Sequence, residues 1–358
     1  MSRGTRATIS RSALLHNFQR VRQYAPQSKI WTVVKANAYG HGANRIVDIL
    51  SESDGFAVST LDEGLALRAH GVRQPVMLLE GVTEAEHLHL AVEQGLQCVL
   101  HCPSQLQQLE QVILEQPLQV WVKIDTGMHR LGFTAEQCKS LWQTLGQIPQ
   151  VRMIGAMTHF ASADDMEQDS ATLQQIRVFQ RLSPTGLTSS MANSAAIIRH
   201  PSSHAEWVRP GIMLYGASPI ADHQAAAFNL KPVMSFESPV IAVRTVNAGV
   251  RIGYGLRWQA QRDSKIATLA VGYGDGYPRH APDGTPVWLN GQRVPIAGRV
   301  SMDMLMLDVT DLPAVQVGDR AELWGEHLSV DEVASHIGSI GYELLTRLSS
   351  RVDYKIVD

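Results

Sequence analysis

The sequence predicts an α/β protein, a (β/α)8 barrel of the TIM type followed by a mostly β C-terminal domain. Over the first two-thirds of the chain, short apolar runs alternate with amphipathic helical stretches, the pattern of a parallel sheet. About eight such units fall in roughly 215 residues, the size of one closed barrel. Beyond Lys231-Pro-Val the helical period fades, and β-runs separated by turn signals take over.

The runs read as barrel strands are Ile30–Val34, Gly55–Ser59, Val76–Glu80, Gln97–His101, Gln119–Ile124, Arg152–Thr158, Leu187–Met191 and Val208–Leu214. Helical spacing of apolar residues marks Leu61–His70, Glu84–Gln94, Ser104–Glu115, Ala135–Leu145, Ala171–Leu182 and a short Ala195–Arg199. A doubly wound open sheet would alternate in the same way. The loop after the first strand lacks Gly-x-Gly-x-x-Gly, which disfavours a dinucleotide fold. The later β-runs are Ser238–Val246, Lys265–Val271, Pro286–Leu289, Gln292–Ala297, Met304–Val309 and Arg320–Leu323, with one helical segment at Val330–Ile337. Asn290-Gly291 between two of them is a strong hairpin signal. The expected division is residues 1–230 for the barrel and 231–358 for the β domain, with the first few residues pairing with the latter.

Composition narrows the function. With 44% hydrophobic and 18% charged residues in 358, a large core can be buried. The net charge of −3 and the lack of a basic stripe argue against nucleic acid as a partner. Three cysteines without a Cys-x-x-Cys pair fit a reducing cytoplasm. No apolar run is long enough for a membrane span, and the N-terminus lacks the apolar core of a signal peptide. No His-Glu-x-x-His, nucleophile elbow or P-loop is present, and no metal is expected.

The candidate chemistry lies at strand ends. Lys35 follows an apolar run and precedes two glycines in Val34-Lys-Ala-Asn-Ala-Tyr-Gly-His-Gly42. A barrel puts its chemistry at that end of a strand, although a surface lysine closing an edge strand would look the same. Alternation puts Lys123 and Asp125 on one face, where an ion pair with a structural role is the plainer reading. Arg130, in a glycine-flanked loop, suits a carboxylate or phenolic oxygen of a ligand. His159 ends the sixth strand, and a lone histidine there is more often structural than catalytic. Ser194 precedes a short helix, where an ordinary N-cap is the simpler assignment. Gly211 follows Arg209 on the eighth strand, and loops after strands 7 and 8 are the usual phosphate site of a barrel. A lysine, a phosphate cradle and a group facing a ring nitrogen are what pyridoxal phosphate requires.

These motifs resemble the alanine racemase family, a family of fold type III pyridoxal-phosphate enzymes with a barrel followed by a β domain. The likeness covers essentially the whole chain. It implies that Lys35 holds pyridoxal 5'-phosphate as a Schiff base and that Tyr39 contacts the phosphate. Val122-Lys-Ile-Asp-Thr-Gly-Met-His-Arg130 resembles the family segment with a carbamylated lysine, here Lys123, and a substrate-side arginine, here Arg130. The resemblance places His159, Asn193, Ser194, Arg209, Gly211, Ile212 and Tyr342 around the cofactor. Ser194 with the Gly211 and Ile212 amides would hold phosphate, and Arg209 would face the pyridine nitrogen. Arg251-Ile-Gly-Tyr-Gly255 implies Tyr254 as a second catalytic base, Arg299-Val-Ser-Met-Asp303 implies Met302 as a substrate contact, and Gly272-Tyr-Gly-Asp-Gly-Tyr277 implies Tyr273 as an entryway residue.

The implied reaction interconverts L- and D-alanine with two bases, Lys35 on the D-face and Tyr254 on the L-face. A free phenol titrates near about 10, so Tyr254 would need nearby positive charge, through His159 and Arg209. Arginine cannot hand a proton to the ring nitrogen, which limits side reactions such as transamination. The family further implies a homodimer whose composite sites take Tyr254 and Met302 from the partner. D-alanine would be supplied for peptidoglycan or degraded. The alternatives are another barrel-type amino-acid racemase or decarboxylase, or a non-catalytic pyridoxal-phosphate carrier.

Overall fold

The computed structural model describes residues 3–358, gathered into two compact units. One comprises Phe18–Met213 with Pro219–Asp222; the other takes the chain through Asn17, Leu214–Ser218 and His223–Asp358. The first strand, β1 (Arg6–Ser10), lies in the second of these.

The first unit is a closed parallel barrel of β2 (Lys29–Val33), β3 (Gly55–Val58), β4 (Val76–Leu78), β5 (Leu96–Leu100), β6 (Leu118–Lys123), β7 (Val151–Met157), β8 (Ser189–Asn193) and β9 (Trp207–Arg209). Closure comes from β9 pairing with β2, Trp207 against Lys29 and Val208 against Ile30. The strands read as apolar runs because most of their residues are buried; Val33, Val58, Leu78 and Val122 are all 5% exposed or less. Gly55 and Gly155 sit where a β-carbon would meet the Trp31 and Trp121 rings at 2.4 and 2.3 Å. Trp31 then packs edge-on to Trp121 (centroids 6.0 Å) and stacks on Trp207 (4.3 Å).

The eighth barrel strand is shorter than its apolar run suggests. It stops at Arg209 because Pro210 has no N–H for the ladder, and Ile212–Tyr215 turns into a 3-10 helix instead of continuing to Leu214.

The second unit is built on β10 (Met234–Val246), which runs on through bulges beside Phe236 and Val240. Its first half pairs antiparallel with β1, and its second half pairs with β13 (Ser264–Leu269). Between them lies the two-stranded ribbon β11 (Arg251–Ile252) and β12 (Trp258–Gln259). Then follow β14 (Pro286–Leu289), β15 (Gln292–Pro295), β16 (Leu305–Asp308), β17 (Arg320–Trp324) and β18 (Asp353–Val357). The main path runs β15-β14-β17-β10-β1-β18, with β13 and β16 joined alongside. β14 and β15 form the hairpin that Asn290-Gly291 announces; both turn residues have positive φ, 46° and 86°. The N-terminal strand β1 is held on both edges, antiparallel to β10 and parallel to β18. Among the described residues no helix is long and apolar enough to cross a membrane.

Candidate active site

The turn after β2 aims Lys35. Ala36, Asn37, Ala38 and Tyr39 all take left-handed backbone, with φ of 52°, 53°, 55° and 51°. Such a conformation costs an L-residue about 1–2 kcal/mol, and four in succession without a glycine are unusual. Internal bonds hold the turn: the Ala38 amide donates to the Val34 carbonyl (2.8 Å), Gly40 to Ala36 (3.0 Å) and Gly42 to Asn37 (2.9 Å). His41 Nδ1 lies 2.9 Å from the Tyr39 carbonyl.

Lys35 is half-buried. Burial and then Arg130 lower its amine pKa, opposed by Glu80 and Glu63, with Arg209 lowering it further. Tyr39 is 8% exposed, and burial pushes its phenol up to about 12. A β-carbon on Gly211 would meet the Tyr39 hydroxyl at 2.4 Å, so that oxygen rests against the Gly211 backbone. The N-cap of helix Ser194–Arg199 is Asn193, whose side chain accepts the Ala196 amide at 3.0 Å. Ser194 is therefore not the cap that its place in the sequence suggests. Its hydroxyl is free to accept the amides of Gly211 (2.9 Å) and Met213 (3.4 Å), tying the end of β8 to the turn after β9. Ile212, 1% exposed, begins that turn.

Arg209 is 4% exposed. Its Nη1 donates to the Ser190 carbonyl and hydroxyl, both at 2.7 Å, and its Nη2 to the Thr158 and Met191 carbonyls. These acceptors, rather than the His159 ring, hold the fork. Burial lowers the guanidinium pKa to about 10, which still leaves it charged at neutral pH.

Lys123, at the end of β6, is 8% exposed. The expected ion pair with Asp125 does not form. Asp125 uses its carboxylate on its own loop, accepting the Gly127 and His129 amides (3.0 Å each) and facing His129 Nδ1 at 3.0 Å. Those bonds and the loop's closure, Phe133 amide to Lys123 carbonyl at 2.8 Å, set the path of the chain that carries Arg130. Burial together with Arg209, Arg130 and Lys35 lowers the Lys123 pKa to about 8, against a lone raising influence from Glu80. His159 is held well below the ordinary histidine range by burial and by Arg209, Lys123, Arg130 and Lys35, so its imidazole is neutral. Lys35, Lys123, Arg130 and Arg209 thus form one cationic cluster at the C-terminal ends of the barrel strands, and among the described residues Glu80 and Glu63 act against it.

The second unit carries Tyr254, Tyr273, Met302 and Tyr342. Tyr254, 69% exposed, stands between Gly253 and Gly255 and lines a groove of about 480 Å³ with Arg244, Arg299, Met304 and Met306. The Tyr273 and Met302 loops are joined: the Tyr273 amide donates to the Ser301 carbonyl (3.0 Å), and Gly274 to Met302 (2.9 Å). Beneath them Asp275, 1% exposed, accepts the Gly272 amide and faces Arg3 and Arg351. Tyr342 lies half-buried in helix Gly341–Thr346. The Arg3–Asp275–Arg351 group escapes a sequence reading because its members lie far apart in the chain. Glu63 is different: Thr60-x-x-Glu63 is a legible capping box, but nothing local reveals what else the carboxylate holds.

Comparison with known proteins then covers the chain from end to end. Residues 9–219 match the family model for the alanine racemase N-terminal domain, and residues 233–356 that for the C-terminal domain. The alanine racemase of Vibrio cholerae serotype O1 is 50% identical over 349 residues, 97% of this chain and 96% of that one. That of Shewanella amazonensis is 49% identical over 356 residues, 97% of each. The crystal structure of the biosynthetic alanine racemase from Pseudomonas aeruginosa superposes with a TM-score of 0.96 at 44% identity, covering 100% of both chains. The Acinetobacter baumannii enzyme gives 0.90 at 41% identity, with 99% of each chain covered. A parallel barrel with a lysine at the end of its first strand, continued by this β unit, is the architecture of a barrel-type amino-acid isomerase. The chain belongs to the alanine racemase family.

Proposed function

We propose that the protein interconverts L-alanine and D-alanine with pyridoxal 5'-phosphate, held by the barrel unit, and that the β unit supplies the second base. The observation that carries this reading is the cluster of Lys35, Lys123, Arg130 and Arg209 with so little opposing charge. Four cations so placed call for anions, and a phosphate with a substrate carboxylate would provide them. The bare backbone of Gly211 against the Tyr39 hydroxyl, with Ser194 behind it, fits a phosphate cradle from Tyr39, Ser194 and Gly211; the family resemblance adds Asn193, Ile212 and Tyr342 as cofactor-binding residues. When bound, pyridoxal phosphate supplies an aldehyde for the amino group and a ring that draws electrons from Cα.

The residues do the rest. Lys35, its amine pKa lowered by burial and two arginines, takes or returns a proton at Cα on the D-face. Tyr254 of a second copy does so through its hydroxyl on the L-face. Arg209, buried, charged and clamped by carbonyl oxygens, would face the ring nitrogen and could donate to it without protonating it. His159, neutral beside it, relays that polarity toward Tyr254. Arg130 orients the substrate carboxylate with Met302, and Tyr273 lines the entryway. Carbamylation of Lys123 would turn one cation of the cluster into an anion facing Arg130, and its lowered pKa supplies the neutral amine that carbon dioxide needs.

A homodimer with composite sites is supported by the exposure of Tyr254 (69%), Leu256 (54%), Met302 (52%) and Met304 (44%), an apolar surface that a monomer would leave wet. The three free cysteines suit a cytoplasmic setting. Supply of D-alanine for peptidoglycan is the role that best matches the biosynthetic relative. The test is chirality over time from each alanine enantiomer, followed by mixing Lys35→Ala and Tyr254→Phe chains. Each variant alone is inactive, and the mixture regains activity through one intact site. No racemisation by the wild type, or no recovery after verified subunit exchange, overturns the reading.

A further inference from the structure

Glu63 lies outside the roles assigned above, yet it touches the most strained segment of the barrel. It sits in the first turn of helix Leu61–Ala69, where Thr60 Oγ1 accepts its amide at 3.4 Å and its own carboxylate accepts the Thr60 amide at 3.4 Å. These two cap bonds are long. The same carboxylate makes two shorter ones: Oε2 accepts the Ser59 amide at 2.8 Å, and Oε1 accepts the Ala36 amide at 2.7 Å. The second spans 27 residues and joins the loop after β3 to the residue next to Lys35.

Ala36 is the first of the four left-handed residues. Each costs about 1–2 kcal/mol relative to right-handed backbone, so the run persists only where the surroundings over-determine it. The bonds within the turn, Ala38 to Val34, Gly40 to Ala36 and Gly42 to Asn37, close it on itself but do not fix it to the barrel. A charge-assisted bond from another strand end does.

We propose that Glu63 is a positioning residue for Lys35: its carboxylate pins the left-handed turn to the loop after β3 and so sets where the Lys35 amine stands. This rests on the proposed reading of Lys35 as the cofactor lysine and base. The same charge bears on the amine electrostatically. The groups facing Lys35 are Arg130, Arg209 and Lys123 on the cationic side, Glu80 and Glu63 on the anionic side, and the neutral His159. Removing Glu63 leaves Glu80 alone against the cations and lowers the amine pKa further.

The experiment compares Glu63→Gln, Glu63→Asp and Thr60→Ala holoenzymes with the wild type. Glutamine offers one oxygen and one NH2 where glutamate offers two oxygens, so the Ala36 and Ser59 amides, held by different oxygens, cannot both keep their acceptors in place. Glu63→Gln is expected to lower kcat about 10–100-fold in both directions with KM within about twofold, the effect of a misplaced reacting group. The acid limb of its kcat–pH profile moves to lower pH. Amide exchange in residues 35–42, followed by mass spectrometry, quickens about tenfold while the other barrel strands keep their rates. Glu63→Asp restores part of kcat, and Thr60→Ala lowers the melting temperature without altering kcat, pH profile or exchange in 35–42. The inference is overturned if Glu63→Gln leaves exchange and pH profile as in the wild type, or if Thr60→Ala reproduces its effects, which would assign them to the helix cap. Exchange in 35–42 needs no turnover. If the wild type fails to racemise alanine while Glu63→Gln still loosens that segment, the proposed function falls and the tie itself stands.

Discussion

The Tyr39 hydroxyl stands 2.4 Å from where Gly211 would carry a β-carbon. Backbone just past the eighth barrel strand and a ring from the loop after the first barrel strand therefore share a space with no room for one more methyl group. Gly211→Ala is expected to push Tyr39 aside and lower affinity for pyridoxal phosphate about 10–100-fold, with a melting temperature changed by only a few degrees. Titration of cofactor absorbance checks the first effect and thermal denaturation the second.

Burial of Lys123 makes stability depend on pH, and its proposed carbamylation would make it depend on carbon dioxide as well. Burial and three cations lower its pKa from 10.5 to about 8. The protonated form is thus disfavoured in the folded state by roughly 3 kcal/mol. That penalty is complete below the folded pKa near 8 and fades as pH rises toward the unfolded value of 10.5, so unmodified protein gains stability across this window. The proposed carbamylation would remove the penalty. Bicarbonate at pH 8 should raise the melting temperature by several degrees, and Lys123→Met should abolish that response.

Arg209 satisfies three carbonyls and one serine hydroxyl with its two terminal nitrogens, the Ser190 carbonyl and hydroxyl both from the same nitrogen. A lysine ammonium on a flexible stem cannot reproduce that planar fork. Arg209→Lys should cost about 2–4 kcal/mol through carbonyls left unpaired. Urea denaturation of the apo and loaded forms measures the loss.

Asp275 sits under both loops of the second unit's candidate site. Its carboxylate is 3.1 Å from Arg3 and 3.4 Å from Arg351, and it accepts the Gly272 amide at 2.9 Å. Arg351 also reaches Asp303, next to Met302, at 2.7 Å. Asp275→Ala leaves the Gly272 amide without its acceptor and removes one of the two carboxylates that Arg3 and Arg351 share. We expect destabilisation of about 2–3 kcal/mol, and a raised KM for alanine as the Tyr273 and Met302 loops loosen. Calorimetry and steady-state kinetics read these separately.

Much of this was legible before any coordinates, for physical reasons. Lys35 could be read because a strand's apolar run ends beside it, and Asn290-Gly291 because few dipeptides accept two positive φ values. Periodicity fails where a side chain answers to distant partners. Asp125 looked like a partner for Lys123 by alternation, but a local carboxylate–amide loop competes successfully for it. Ser194 looked like a cap, but Asn193 already fills that position. Val208–Leu214 looked continuous because its residues are apolar, while Pro210 ends the ladder within it. The left-handed turn leaves no mark at all: Ala36, Asn37, Ala38 and Tyr39 give no warning of their φ angles, which come from bonds made elsewhere.

The position of β1 bears on how the chain comes off the ribosome. Its neighbours in the sheet are β10, more than 220 residues later, and β18, at the far end of the chain. The barrel strands, by contrast, each pair with the next in sequence, and only the closing contact between β2 and β9 is long. The barrel can assemble during synthesis while its leading segment waits, both edges open, until Asp353–Val357 has been made. The edge of the β sheet beside β1 is completed last, so a truncated product would carry the lysine but no finished β sheet.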